Sequence, residues 1–197
     1  MNKLASRPHQ FRERKGEEKT KILIPIVSSE NREYLPVGLV DESVIPTNKT
    51  FFIGDAPLWC LAILSSRLHL VWIATICGRL RSDYSYSNTL GWNTFPIPVL
   101  TEKNTRDMTR CAEEIVLARE THFPESLADL YEVKNGVPMM PSDLRDAHER
   151  NDEVLERIYI GRRFKNDTER LEKLFDLYTK MTASAEHARK RKTEART

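Results

Sequence analysis

The most chemically suggestive part of the chain is a polar segment from Gly78 to Pro96, GRLRSDYSYSNTLGWNTFP, which follows a long apolar run. Arg81 and Asp83 lie two positions apart in this segment, so on an extended strand their side chains point to the same side. The guanidinium fork of Arg matches O6 and N7 of guanine, and the carboxylate of Asp accepts from N4 of cytosine or holds the Arg in its planar orientation. The pair is therefore suited to a G·C base pair. From the residues alone, the favoured interpretation is the alternative, a surface salt bridge between the two side chains.

Other polar side chains in and near this segment have donors and acceptors that suit phosphate oxygens. Contacts to phosphates set the register of a protein on a duplex without reading its sequence. Tyr84 and Tyr86 have an alternative role, because each ring can be buried with its hydroxyl bonded to the backbone, and for Tyr86 burial is the favoured interpretation. The predicted orienting residues are Arg67, Arg79, Ser82, Tyr84, Ser85, Tyr86, Ser87 and Asn88.

His148 stands on an otherwise apolar helical stripe, and acidic residues follow and precede it at Asp146, Glu149 and Asp152. A His beside carboxylates is a pattern that acid–base catalysis uses. The favoured interpretation is architectural, because His148 and Asn151 lie one turn apart, where both can bind carbonyl groups of neighbouring elements as buried polar groups must. The carboxylates are then expected mainly on the solvated face. No catalytic residue and no metal ligand is predicted in the chain.

The elements that must position the polar segment come before it. Three short β-favouring runs, KILIPIV, EYLPVGLV and KTFFIG, begin at Lys21, and the prolines inside the first two favour edge or irregular strands. The apolar run from Leu58 to Cys77 predicts one long core helix, with Asp55 as its cap and Gly78 at its end. After the polar segment, the PIP sequence at 96–98 ends strand pairing, since proline lacks the backbone donor.

Beyond residue 98 the apolar residues recur with a helical period. Ser126, Ser142 and either Asp167 or Thr168 are the predicted caps of these helices. The fold class is predicted to be α+β, with a small, mostly antiparallel sheet and a long core helix followed by a helical subdomain. The predicted divisions are a basic arm at 1–20, a recognition domain at 21–98, a helical domain at 99–181 and a basic tail at 182–197. The three apolar stripes begin at Met108, Leu144 and Leu171.

Charge is distributed unevenly along the 197 residues, although the formal net charge is only +2. Residues 1–21 hold seven Lys and Arg against three Glu, and residues 180–197 hold six against two, which suits contact with phosphates or simple solvation. Arg67 and His69 interrupt the longest apolar run and exclude a membrane span there. The three cysteines form no CxxC pair and suit neither a disulfide framework nor a zinc site. We therefore expect a cytoplasmic protein, with no membrane partner and with reduced, buried thiols.

Several separated motifs give the chain a resemblance to a known family. It resembles the MmeI-like type II restriction-modification proteins, which carry adenine-specific DNA methyltransferase activity. The resemblance covers residues 7 to 180 and implies that the chain corresponds to the family's target-recognition domain and helical carboxy-terminal domain. The motifs are SSRLHLVWIATIC at 65–77, SLADLYEV at 126–133, MPSDLRDAHERND at 140–152 and LFDLY at 174–178.

The resemblance also implies roles for single residues. Arg81 and Asp83 match the family's base-reading positions between GRL and YS. His9 and Arg12 in PHQFRERK, and Arg32 in SSENRE, resemble family stretches that contact the DNA backbone or bases. The alternative for both stretches is a loop fastened by its own ion pairs. Position 31 holds Asn where the family often has a second Arg.

The same family needs a glycine-rich loop for S-adenosylmethionine and an Asn-Pro-Pro-aromatic stretch that holds the flipped adenine, and neither occurs here. A PD-(D/E)xK-like nuclease constellation is also missing. We therefore expect a sequence-specific recognition module of an adenine-N6 DNA methyltransferase, without the catalytic domain, without a cofactor and with no activity alone. Its expected partners are double-stranded DNA and a methyltransferase catalytic domain or subunit, which would hold the S-adenosylmethionine. The alternative is a truncated fragment that docks on a methyltransferase subunit and binds DNA weakly.

Overall fold

The computed structural model describes residues 18–194, with side chains as far as residue 183. His9, Arg12 and most of the predicted basic arm lie outside the described residues, as do most side chains of the predicted basic tail. None of the described helices is both long and apolar enough to cross a bilayer.

The described strands are all paired in antiparallel fashion. The strands are β1 Thr20–Pro25, β2 Val27–Ser28, β3 Gly38–Asp41, β4 Thr50–Gly54, β5 Gly78–Leu80, β6 Asp83–Ser85, β7 Val133–Lys134 and β8 Val137–Pro138. The first sheet has the order β3-β1-β4, the second β2-β6-β5, and the third pairs β7 with β8. The expected α+β class with small antiparallel sheets is confirmed.

One continuous stretch of chain joins the first two sheets. Strand β1 ends at Pro25, which has no backbone donor, and β2 starts after the single residue Ile26. Ile26 donates to the carbonyl of Lys49 at 3.0 Å and accepts from the amide of Tyr86 at 2.7 Å. The base of the β5–β6 hairpin is therefore anchored to the strand that runs through the core of the first sheet.

The predicted single helix over Leu58–Cys77 is wrong in one respect, because it breaks into two helices. Ser66 has an extended backbone, with φ −92° and ψ 157°, and its Oγ accepts from the amide of His69 at 3.2 Å. Serine side chains compete in this way with the helical hydrogen-bond pattern. The described helices are α1 Trp59–Leu64, α2 Arg67–Ile76, α3 Glu102–Glu120, α4 Leu127–Leu130, α5 Ser142–Ile160 and α6 Asp167–Glu194.

The predicted helix caps are partly confirmed. Ser126 forms a full capping box with Asp129 at the start of α4. Asp55 is not a cap, since its carboxylate accepts from the amide of Thr20 at 3.1 Å and α1 begins only at Trp59. Ser142 is the first residue of α5 and makes no cap bond, and at α6 the side chain of Asn166 accepts from Glu169 instead of either predicted residue.

Helices α1 and α2 lie in the larger of two buried apolar clusters, which takes side chains from elements between β1 and α6. Trp72 is 1% exposed, and its ring lies 5.2 Å from that of Phe175 and 5.7 Å from that of Tyr178 in α6. Burial of apolar surface is the main favourable contribution to folding. The recognition part and the helical part therefore stabilise each other through a shared core, which also holds Ile22, Leu61, Met108, Leu155 and Leu174.

Candidate nucleic-acid interface

The polar segment forms a tight β-hairpin whose tip carries Arg81. Strands β5 and β6 pair from Gly78↔Ser85 to Leu80↔Asp83, which leaves a loop of two residues, Arg81 and Ser82. Arg81 has a φ of 59°, an uncommon conformation for a residue with a Cβ. The two candidate base-reading residues therefore do not share one extended strand. Arg81 is at the turn, and Asp83 is the first residue of β6.

The side chains at this tip are available to a ligand. Arg81 and Ser82 are exposed and Asp83 is half-buried. Within residues 18–183, the side chains of Arg81 and Asp83 form no hydrogen bond and no ion pair, either with each other or with another group. The surface salt bridge that was the alternative for this pair is thus not formed in the described part of the chain.

Arg79 in β5 uses one guanidinium nitrogen to bind both the hairpin turn and the loop after β2. Its Nη1 donates to Glu30 Oε2 at 2.7 Å and to the backbone carbonyl of Ser82 at 2.6 Å. Its guanidinium carbon also lies 5.0 Å from the ring centroid of Tyr84, a cation–π contact. The hydroxyl of Tyr84 donates to the carbonyl of Glu30 at 3.4 Å. These contacts join the hairpin to the loop that follows β2.

Tyr86 supports the hairpin from inside the core. Its ring is 4% exposed, and its hydroxyl lies 3.1 Å from Nε2 of the fully buried His69. Burial lowers the pKa of His69 to about 3, so the imidazole stays neutral at physiological pH. A Cβ on Gly91 would meet the Tyr86 ring at 2.9 Å, so glycine permits this close approach. The hydroxyl of Tyr86 is not accessible to a phosphate in this structure.

The remaining candidates in the segment lie along its surface. Ser87 Oγ accepts from the amide of Leu90 at 3.3 Å and so caps a single π-helical turn, Asn88–Trp92. Asn88 is exposed, and its Oδ1 accepts from the amide of Thr89 at 2.9 Å. Ser85 is half-buried in the strand ladder, opposite Val27 and Gly78.

The other two arginines predicted near DNA connect the recognition part to the helical part. Arg67 binds Asp167 of α6 with two hydrogen bonds, at 2.5 and 3.3 Å. Arg32 donates to the carbonyl of Tyr131 at 3.1 Å and to Ser28 Oγ at 3.4 Å. Neither guanidinium lies at the hairpin tip.

The break between α1 and α2 is held by side chains of α5. His148 Nδ1 lies 3.0 Å from the carbonyl of Ser65, and Asn151 Nδ2 donates to the carbonyl of Ala62 at 2.8 Å. Asp152 Oδ1 accepts from the amide of Arg67 at 2.8 Å. These are the backbone groups that a helix end leaves without internal partners. The architectural interpretation of His148 and Asn151 is confirmed.

Asp146 and Glu149 lie on the solvated face as expected, whereas Asp152 is buried, with 6% of its surface exposed. Its second oxygen accepts from the hydroxyl of Tyr34 at 2.9 Å, and burial raises the pKa of the carboxyl to about 7. The Tyr34 ring stacks on His148 with centroids 4.2 Å apart. Burial also holds the pKa of His148 well below its ordinary value, so the imidazole is neutral.

Sequence reasoning missed several partners in these contacts. Glu30 is 49 residues from Arg79, and Tyr34 is 118 residues from Asp152. Arg119 lies on the buried face of α3 and donates to the Tyr131 hydroxyl at 2.9 Å. Its position one turn after Ile115, inside an apolar stripe, is the one signal in the sequence that marks it as a buried, paired arginine.

Family models match both halves of this chain. The family model described as MmeI, target recognition domain, matches residues 1–99, and that of the MmeI, C-terminal domain, matches residues 100–186. DNA methyltransferase A of Bacillus subtilis (strain 168) is 41% identical over 181 residues, which are 92% of this chain and 20% of that protein. A solved structure of the Type IIL restriction-modification enzyme MmeI in complex with DNA has a TM-score of 0.82 and 37% identity, covering 92% of this chain and 24% of that one. The chain thus spans a quarter or less of the length of these relatives.

Proposed function

Since the chain belongs to the MmeI family and carries its target recognition domain followed by its C-terminal domain, we propose that it binds double-stranded DNA and reads at least one base pair with the β5–β6 hairpin. Arg81 and Asp83 are the proposed base-reading residues. The proposed site is a G·C pair, because an Arg fork matches guanine and a carboxylate accepts from cytosine.

The observation that carries this proposal is the exposed tip of the hairpin. Within the described residues, the Arg81 side chain has no protein partner, yet it stands on a turn whose base is anchored in the core. A two-stranded β-ribbon fits the major groove of B-DNA, where the four base pairs differ in their donors and acceptors. A cationic side chain held at such a tip is suited to reach a base edge.

We assign the surrounding residues to two groups with different roles. Ser82, Tyr84, Ser85, Ser87 and Asn88 are exposed or half-buried near the tip, and we assign them contacts with phosphates that set the register. The second group stabilises the fold through hydrogen bonds to other residues, although Arg79 is itself exposed, and it consists of Arg32, Arg67, Arg79 and Tyr86. His9 and Arg12 remain proposed DNA contacts outside the described residues.

We further propose that the whole protein methylates adenine N6, with the chemistry in a catalytic domain or subunit that works together with this chain. S-adenosylmethionine would supply the methyl group there. The residues of this chain do not fit that cofactor, because its seven glycines stand singly, with no GxG arrangement, and the loops between its described strands and helices offer no glycine-rich turn at a helix start. No catalytic step is therefore assigned to these residues.

The test is the substitution Arg81→Ala. The wild-type chain first selects its preferred duplex from a random-sequence pool, and binding of both proteins to that duplex and to an unrelated one is then measured over a salt series. We expect Arg81→Ala to weaken binding to the preferred duplex by about five- to 150-fold, since a bidentate base contact contributes about 1–3 kcal/mol of discrimination. Binding to the unrelated duplex should change little.

The matched control is Arg106→Ala, which removes an exposed arginine on α3 far along the chain from the hairpin. Equal losses on both duplexes after Arg81→Ala would refute a base-reading role. Absence of salt-dependent binding by the wild-type chain would favour the alternative of a docking fragment, because phosphate contacts make affinity fall steeply with salt.

A further inference from the structure

We propose that Glu30 is a positioning residue for base recognition, acting through Arg79 to hold the hairpin tip in one conformation. This inference rests on the proposed function of Arg81. It assigns Glu30 no direct contact with DNA.

The side chain of Arg79 connects the turn of the hairpin to the loop that follows β2. One guanidinium nitrogen of Arg79 donates to the Glu30 carboxylate at 2.7 Å and to the carbonyl of Ser82 at 2.6 Å. The second loop residue is thereby tied to a side chain of β5, and that side chain is tied to the loop after β2. Because the turn has only two residues, fixing the carbonyl of Ser82 also restricts the backbone of Arg81.

The Arg79–Glu30 pair is unsuited to a purely stabilising role. The two side chains are 42% and 38% exposed, and ion pairs at such exposure add little to stability. The same pair borders a residue with a φ of 59°, a conformation that persists only when the surrounding contacts determine it. Backbone conformations of this kind are associated with sites that hold a side chain ready for a ligand.

Tyr84 completes the arrangement on the other side of the guanidinium. Its ring lies under Arg79 at 5.0 Å, and its hydroxyl donates to the backbone carbonyl of Glu30 at 3.4 Å. Loss of the Glu30 carboxylate would leave Arg79 free to turn towards a phosphate. The expected result is weaker discrimination between sequences together with equal or stronger binding to DNA of any sequence.

The experiment uses Glu30→Gln, which removes the charge, and Glu30→Asp, which keeps the charge but is one methylene too short for the 2.7 Å contact. The readout is the ratio of dissociation constants for the selected duplex and for the same duplex with one base pair replaced. We expect this ratio to fall about three- to tenfold in both variants, since a side chain that is not preorganised must be ordered on binding. The control is Glu132→Gln, which removes a similarly exposed carboxylate, paired with Lys134 at 3.0 Å, from the β7–β8 hairpin.

A double-mutant cycle and a spectrum of the free protein separate positioning from other roles. If Glu30 acts through Arg79, the double variant Glu30→Gln, Arg79→Gln loses no more discrimination than the Arg79→Gln single variant. Additive losses would show that Glu30 acts independently of Arg79 and would overturn the inference. In NMR spectra without DNA, the amide signals of Arg81 and Ser82 should broaden or split in Glu30→Gln, while the Trp72 indole signal stays unchanged.

The outcomes distinguish this inference from the proposed function. A wild-type chain that shows no preference among duplexes refutes both. A wild type that discriminates, with Glu30 variants that discriminate equally well, overturns only the positioning role. Unchanged Arg81 and Ser82 signals in Glu30→Gln would do the same, without any DNA in the sample.

Discussion

Substituting Asp152 by Asn is expected to change how the stability of this protein depends on pH. Asp152 accepts from the amide of Arg67 and from the hydroxyl of Tyr34 while being 6% exposed. Burial raises the pKa of this carboxyl from 3.8 to about 7, and the two hydrogen bonds oppose that increase without cancelling it. Nearby Glu156 also raises the pKa, and Arg170 lowers it.

The raised pKa determines whether the stability of the protein rises or falls with pH. At pH 5 the folded protein holds a proton on Asp152 that the unfolded chain has largely released. This contribution to stability is fully present below pH 3.8 and is lost as the pH rises through about 7. One pH unit corresponds to about 1.4 kcal/mol, so the wild type should lose about 2–3 kcal/mol between pH 5 and pH 8 through this single group. Asn cannot lose a proton at these pH values, so the stability of the variant lacks this pH-dependent contribution.

Asn is also a reasonable neutral replacement at this site. Its amide oxygen can accept from the amide of Arg67, and its amide group can donate to the oxygen of the Tyr34 hydroxyl, which acts as donor or acceptor. The free energy of unfolding is measured by urea titration at constant ionic strength, with tryptophan fluorescence, at several pH values. The difference between variant and wild type is then free of contributions from the other titrating groups.

Asp146→Asn, on the exposed face of the same helix, is the matched control. As the pH rises from 5 to 8, the free energy of unfolding of Asp152→Asn should increase relative to that of the wild type. A constant difference across this range would refute the reasoning. It would mean that Asp152 is ionised throughout and that its two hydrogen bonds outweigh the cost of burial.

Two other substitutions test the backbone of the hairpin and the helix break. Arg81→Gly should be more stable than Arg81→Ala by about 1 kcal/mol, because glycine adopts a positive φ without strain; equal urea midpoints would contradict this. His148→Ala should destabilise the protein by about 3 kcal/mol or more, since it removes the bonds to the carbonyl of Ser65 and the hydroxyl of Tyr131 and leaves a cavity. A loss below about 1 kcal/mol in thermal unfolding would show that water or a neighbour replaces the imidazole.

Sequence reasoning succeeded where the signal is local. The strand-forming runs follow from β-favouring residue types, and the three helical stripes follow from a period of 3.6 residues within single elements. The capping box at Ser126 is likewise encoded within four residues. The burial of His148 and Asn151 could be predicted because two polar residues on an apolar helix face need partners in the core.

The missed features depend on contacts between distant parts of the chain or on a conformation that the residue type disfavours. The turn at Arg81 and Ser82 has neither Gly nor Asn, so no turn signal in the sequence places it between the two candidate base-reading residues. The break at Ser65 and Ser66 lies within an apolar run that favours helix, and it is stabilised from α5, more than 80 residues later. The contact between Glu30 and Arg79 likewise joins residues that lie far apart in the sequence.

The way α5 holds the break between α1 and α2 bears on the construction of chimeras. A graft made at residue 99, where one family match ends and the other begins, would transplant the hairpin together with the carbonyls of Ala62 and Ser65 and the amide of Arg67. These three groups would face the helix of the recipient. A recipient lacking the equivalents of His148, Asn151 and Asp152 would leave them buried without partners. On the proposed base-reading role of the hairpin tip, we therefore expect specificity to transfer between relatives either with both halves together or with single residues at that tip.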